Sequence, residues 1–315
     1  MKGFSRPYHI SVMPNEVRTV LDLRPGLRVC DLTLGGGGHA QIIAKGIEPG
    51  GTLIVFDQDS AAFDEALPKL AGFEVELIPV RSNFRKIVSE LEKLNVGHVD
   101  RIFADLALSS RQLDDPSRGF SFNNPGLLDM RQDLNQKLSA NQLLATLTER
   151  EIRQLLVDFG DEAWSARIAK FIVEARSRAP ITTTQQLKEI VEAAVPKAAW
   201  PKNRHPATLT FQALRVVVND EKAALAEMLE GAFETLAPGG IFAAISFQGD
   251  EDKAVKDFMA SKSGKCVCPP KLPVCVCGAV KQIEALTKKP LTPSDAEIAE
   301  NSRSRSARLR AYKKL

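Results

Sequence analysis

Apolar and polar positions change period repeatedly along the first hundred residues. Leu27 to Cys30, Thr52 to Phe56, Val75 to Val80 and Val99 to Ala104 are short apolar runs of the kind a buried parallel strand needs. Between them helical spacing begins at Ala40, resumes over 60–70 and again over 85–94, and ahead of them Val17, Val20 and Leu21 predict a helix closed by Pro25-Gly26. Strands that alternate with helices predict a doubly wound α/β fold, with ligands at the C-terminal ends of the strands.

The alternation then stops. From Leu106 to about Met130 the chain is polar and rich in turn residues, and from Ser139 to about Ala199 it is helical. Thr148-x-x-Glu151 reads as a capping box, and Ile168 with Ile172, then Leu187, Ile190, Val191 and Ala194, form apolar stripes. Amphipathic segments follow over 207–218 and 221–236, and an almost wholly apolar strand over 241–247. Further strands are predicted over 280–286 and 308–312, for about seven in all. The expected organisation is a core from 1–112 and 204–315, interrupted by an inserted helical domain at 113–203.

Composition adds little to this until charge is placed. At 315 residues and 44% hydrophobic content the chain can bury a proper core, and its formal charge is only +3. Arg303, Arg305, Arg308, Arg310, Lys313 and Lys314 fall within 301–315 without an acid, either as a solvated tail or as a contact for phosphates. No apolar run approaches the ~20 residues of a membrane span and no signal-peptide core is visible, so a cytoplasmic protein is expected. Cys266, Cys268, Cys275 and Cys277 match zinc in number but lack the usual C-x2-C spacing; reduced thiols in a tight turn are favoured over zinc.

Candidate chemistry sits at the first strand. Val29-Cys30-Asp31-Leu32-Thr33-Leu34 runs into Gly35-Gly36-Gly37-Gly38 and then His39, a strand, a glycine turn and a helix start. Glycine lets backbone amides approach a ligand, and the helix N-terminus offers unpaired N–H groups. Asp57 ends the second strand 19 residues after Gly38, close to the ~20 expected of an acid that binds ribose hydroxyls. The turn alone would equally suit a nicotinamide-dependent oxidoreductase.

Longer motifs decide between the two. Asp105-Leu106-Ala107-Leu108-Ser109-Ser110-Arg111-Gln112-Leu113-Asp114, Arg118-Gly119-Phe120-Ser121-Phe122 and Leu128-Asp129-Met130-Arg131 resemble the RsmH (MraW) family of bacterial rRNA cytosine-N4 methyltransferases. The resemblance continues through His205-Pro206-Ala207-Thr208, Phe211 to Arg215, Ile245-Ser246-Phe247, Glu251-Asp252-Lys253 and Asn301 to Arg310. It implies a class I, Rossmann-like methyltransferase core with S-adenosylmethionine as cofactor, the inserted helical domain at 113–203 as the substrate-recognition domain, and 16S rRNA of the small ribosomal subunit as partner. It also implies Gly37, Gly38 and His39 as the cofactor-binding turn and Asp57 as the ribose-binding acid. Phe84 would lie on the adenine side, with Asp105 and Gln112 lining the inner cofactor pocket.

Methyl transfer from a sulfonium is an in-line displacement that needs alignment rather than a nucleophilic side chain. A cytosine N4 amine becomes more nucleophilic when an acceptor binds its N–H, and Asp105 is the catalytic candidate for that role, with cofactor binding alone as its other reading. Arg118 and Arg131 are candidates for phosphate contacts or ion pairs, and Phe120 or Phe122 for stacking on a flipped base or for packing. The chain departs from the family pattern at Leu32, Ala107, Leu209 and Gln248. The departures at Ala107 and Gln248 support the alternative of a catalytically weak paralogue that binds RNA or assists ribosome assembly.

Overall fold

The protein is seen in a computed structural model that describes residues 11–265, 268 and 278–315. The chain forms two compact units, one from residues 1–107 with 223–315 and the other from 108–222.

The first unit is built on seven strands: β1 (Arg28–Asp31), β2 (Gly51–Asp57), β3 (Val75–Arg81), β4 (Val99–Asp105), β5 (Leu236–Ser246), β6 (Ile283–Ala285) and β7 (Arg308–Lys314). Their order is β3-β2-β1-β4-β5-β7-β6. The first five are parallel, and β7 runs antiparallel to both of its neighbours. This doubly wound sheet is a class I Rossmann-like fold, with order reversing beside β1 where ligands gather.

Strand periodicity divides the core between two faces. Cys30, Ile54, Phe56, Ile102, Ala104, Phe242, Ala244 and Tyr312 point to one face. Val29, Leu53, Val55, Phe103, Ile241, Ala243, Ile245 and Leu309 point to the other. Helices α1 (Pro14–Leu21), α2 (Gly38–Ile47) and α3 (Ser60–Leu70) supply buried residues to the second face, and α4 (Ile87–Lys93) supplies Ile87 and Leu91 to the first. Leu32 is 1% exposed in the first cluster, so its side chain is a core element rather than part of the turn surface.

The second unit holds α5 (Ser110–Asp114), α6 (Ala140–Thr146), α7 (Glu149–Gly160), α8 (Ser165–Arg176), α9 (Thr184–Ala194) and α10 (Thr208–Val218). The Thr148–Glu151 capping box forms. This unit extends past the expected 113–203 at both ends, because Phe211, Ala213, Leu214 and Val218 of α10 belong to the helical core. Sequence placed α10 with the sheet, since an amphipathic stripe does not say which core it joins. Phe120 is buried in the helical core and Phe122 packs partly buried against it. Arg118 is buried, donating to the carbonyls of Arg131 and Gln132, and Arg131 forms a two-point pair with Asp129. Both arginines are thus structural within this unit.

The chain returns to the sheet through α11 (Glu221–Thr235), α12 (Gly249–Lys262) and α13 (Asp295–Glu300). The basic C-terminus is not a solvated tail over its last residues, since β7 is inserted between β5 and β6. Lys314 Nζ donates to the carbonyls of Phe233 and Leu236 at 2.7 Å each, capping the end of α11.

Candidate active site

Three adjacent parallel strands, β2, β1 and β4, each end in an aspartate: Asp57, Asp31 and Asp105. Parallel register brings these carboxylates to one edge of the sheet, where the glycine turn leads into α2. Sequence reasoning singled out Asp57 and Asp105 but passed over Asp31. The shared signal, an acid closing every strand around the switch point, was present in the sequence.

Asp31 is fully buried. Its Oδ1 accepts from the Thr33 N–H at 3.1 Å, while Oδ2 has no hydrogen-bond partner among the described residues. Burial pushes its carboxyl up to about 6, against the partly offsetting attraction of His39. Asp57 is likewise pushed up to about 6 by burial, although the N–H groups of Asp59 and Gly35 donate to it at 2.8 and 2.9 Å. These two bonds draw the glycine turn and the start of α3 onto the end of β2.

The turn is shaped for close backbone approach. Gly37 has φ of +79°, and a Cβ there would lie 2.7 Å from the Ala66 Cβ. Only glycine satisfies both conditions. Lys69 Nζ donates to the Gly36 carbonyl at 2.8 Å and pairs with Glu65, which clamps the turn from α3.

His39 is buried beside Phe103, with ring centroids 4.8 Å apart. Its Nε2 lies 2.8 Å from the Val12 carbonyl oxygen, which can only accept, so Nε2 carries the hydrogen. Nδ1 then faces Asp105 Oδ2 at 3.4 Å. The ring is therefore held between α1's lead-in segment and the end of β4. Asp105 Oδ1 accepts from the Ala107 N–H at 3.1 Å, and the Asp105 N–H donates to Thr33 Oγ1 at 2.7 Å. Ala107 contributes through its backbone, so its methyl group leaves this contact intact.

Phe84 opens a short 3-10 turn after β3 and packs half-buried on the first core face. It is brought towards Asp57, because the Ser82 N–H donates to the Asp57 carbonyl at 3.0 Å and Asn83 Nδ2 donates to Gln58 Oε1 at 2.8 Å. Gln112 is carried by the helical unit instead, where its side-chain oxygen accepts from the Ser109 N–H at 3.1 Å in a capping box. Gln248, a departure from the family pattern, starts α12, and its N–H donates to Glu251 Oε2 at 3.0 Å.

The arrangement is an acidic, largely buried pocket edge with a tight glycine turn. It suits a nucleoside that carries positive charge. Residues 6–315 match the MraW methylase family. The chain belongs to that family. Among relatives of the methylase, "Ribosomal RNA small subunit methyltransferase H" of Pelobacter propionicus is 45% identical over 100% of both chains. The protein of the same name from Symbiobacterium thermophilum is 45% identical over 98% of this chain and 97% of its own. A crystal structure of an rRNA methylase from Streptococcus thermophilus aligns with TM-score 0.41 and 11% identity, over 100% of this chain and 99% of that one.

Among the described residues no group of three or more His, Cys, Asp or Glu could hold a metal ion. Cys266, Cys275 and Cys277, and with them most of the expected Cys-rich excursion, lie outside the described residues. No described helix is long and apolar enough to cross a membrane.

Raised carboxyls make the methylase sensitive to pH in a stated direction. Asp31 and Asp57 bind protons more tightly in the folded chain than in the unfolded one, so their contribution is greatest below the unfolded value of ~3.9. It is lost as pH rises through about 6. Asp31→Asn is expected to stabilise the cofactor-free protein by about 1–3 kcal/mol at pH 7.5 and to flatten the fall in stability between pH ~4 and ~6. Denaturant melts across that range check it; a variant that tracks the parent at every pH would show that the buried charge carries no penalty.

Proposed function

We propose that the protein transfers a methyl group from S-adenosylmethionine to N4 of a cytidine in the decoding region of 16S rRNA, within the small ribosomal subunit in the cytoplasm. The observation that carries the reading is the convergence of Asp31, Asp57 and Asp105 at the ends of adjacent strands beside the glycine turn. The names of the full-length relatives agree with it.

The residues present fit the cofactor. Asp31 Oδ2 is a buried, unsatisfied acceptor among the described residues, and such an atom calls for a donor or a positive charge. When bound, S-adenosylmethionine supplies an electrophilic methyl group on a cationic sulfur. Gly37 and Gly38 give backbone access to it, and Asp57 keeps a lone pair for a ribose hydroxyl beyond its bonds from the Gly35, Gln58 and Asp59 N–H groups. The half-buried Phe84 ring offers a surface to adenine, and His39 Nδ1 stands 3.4 Å from Asp105 Oδ2. Gln112 is retained as a cofactor-pocket residue on the family resemblance.

Asp105 acts on the amine. An oxygen anchored by the Ala107 N–H is positioned to accept an N4–H, which localises the nitrogen lone pair for attack. With the cofactor bound, its sulfur would take the electron pair of the bond to the methyl carbon, and Asp105 would take the proton that the methylated N4 must shed and pass it to water. The departures at Leu32, Ala107 and Gln248 leave this machinery in place, since Leu32 is core, Ala107 acts through its backbone and Gln248 starts a helix. The weak-paralogue reading is accordingly not favoured.

The test is methyl incorporation from labelled cofactor into small subunits that lack the decoding-region N4 mark, followed by nucleoside analysis. N4-methylcytidine is expected. Cofactor binding without incorporation would reinstate the assembly-factor alternative.

A further inference from the structure

Residues 193–219 contain no Asp or Glu, while Lys197, Lys202, Arg204 and Arg215 are basic. Arg215 is engaged with Glu221. Lys197, Lys202 and Arg204 are exposed, and among the described residues none of their side chains makes a hydrogen bond or ion pair. Three free cations in so short a segment repel one another and contribute nothing visible to the fold.

The same segment carries a ladder of rings. Phe211 is buried in the helical core, and Phe122 meets it edge-on at 5.0 Å. His205 lies 4.8 Å from Phe122, and Trp200 lies 5.6 Å from His205. The outer two rings are fixed by hydrogen bonds. Trp200 Nε1 donates to the Val195 carbonyl at 3.0 Å. His205 Nδ1 accepts from the Ala207 N–H at 3.1 Å, so its Nε2 carries the hydrogen that faces Glu192 at 2.9 Å. Pro196, Pro201 and Pro206 further stiffen the chain. Trp200 remains half-buried between exposed 197–199 and exposed 201–204.

A pre-fixed, partly accessible indole among unpaired cations has the two properties that hold unpaired nucleic acid: a face for base stacking and charges for the backbone. Ordering such rings costs little on binding, because they are already held. Phe122 is less suited to stack on a base than sequence suggested, because His205 and Phe211 already meet its ring. We propose that the 197–206 segment of the helical unit is a docking platform for an unpaired stretch of the RNA substrate, with Trp200 stacking on a base and Lys202 and Arg204 contacting phosphates. The proposal rests on the rRNA reading above.

The full-length protein is titrated with small subunits lacking the mark at several salt concentrations, with cofactor affinity and thermal melting measured alongside. Lys202→Gln with Arg204→Gln is expected to reduce the slope of log affinity against log salt by about 1.4, at ~0.7 per lost phosphate contact on a single strand. Trp200→Ala is expected to weaken binding by about 5–150-fold, and Trp200→Phe to recover most of it. Cofactor affinity stays at the parent value in each variant, which separates lost docking from misfolding. If the parent methylates the subunits and the variants keep its affinity and salt slope, the platform is overturned while the rRNA reading stands. A parent that neither binds nor methylates the subunits would overturn the rRNA reading and the platform with it.

Discussion

Asp105→Asn is expected to lower kcat for methyl transfer by about 10²–10⁴-fold, the usual contribution of a positioned proton acceptor. The carboxamide is nearly isosteric, so its oxygen can still accept from the Ala107 N–H. The main-chain bond from Asp105 to Thr33 Oγ1 does not involve the side chain and survives. Geometry is thus kept while the capacity to take a proton is removed. Cofactor affinity, measured by calorimetry, is expected to change by less than about tenfold, because the buried Asp31 and the half-buried Asp57 remain. Asp105→Ala would lose the acceptor altogether, and is expected to be at least as slow. An Asp105→Asn enzyme with the parent kcat would confine Asp105 to holding the cofactor.

The largest effect on stability is expected at Asp252, in the Glu251-Asp252-Lys253 motif. Asp252 is buried on α12, where Arg310 Nε donates to Oδ1 at 2.6 Å and Arg310 Nη2 to Oδ2 at 3.0 Å. Arg308 Nη1 reaches the same carboxylate at 3.3 Å. Both arginines lie on β7, so one acid pins α12 to the strand inserted between β5 and β6. Asp252→Ala would strand the buried Arg310 charge, and removing one partner of a buried pair costs about 3–5 kcal/mol. A denaturant midpoint at pH 7 measures the loss. The hydrogen bonds and charges of Arg310, chiefly, hold the Asp252 carboxyl below its usual range. Its stabilising contribution is therefore present above the unfolded value of ~3.9 and disappears as pH falls through the lower folded value. Variant and parent should converge in acid, the opposite sense to Asp31. A variant as stable as the parent at pH 7 would mean that the arginines find water or other partners at little cost.

Much of the core was legible because its period is simple. Four apolar runs with intervening helical spacing correspond to β1 to β4, and the predicted helix over 60–70 is α3. The glycine turn and Asp57 were legible as well, since a turn that needs positive φ and an acid at a strand end are local features. The rest required contacts between distant residues. Glu251 and Asp252 read as parts of a functional motif, yet one caps a helix start and the other meets a strand nearly sixty residues later. Arg118 and Arg131 looked free for phosphate because sequence does not display the carbonyls and the carboxylate that take their donors.

Local pattern, then, determined the alternating core, its strands and the glycine turn after β1, because period and glycine chemistry act within a few residues. Long-range pairing determined the remainder. Parallel register gathered Asp31, Asp57 and Asp105 at one edge, the Val12 carbonyl chose the His39 tautomer, and packing assigned α10 to the helical unit. Each depends on which strands pair and which faces bury one another. That choice is made by the whole chain folding at once, and no single stretch of sequence carries it.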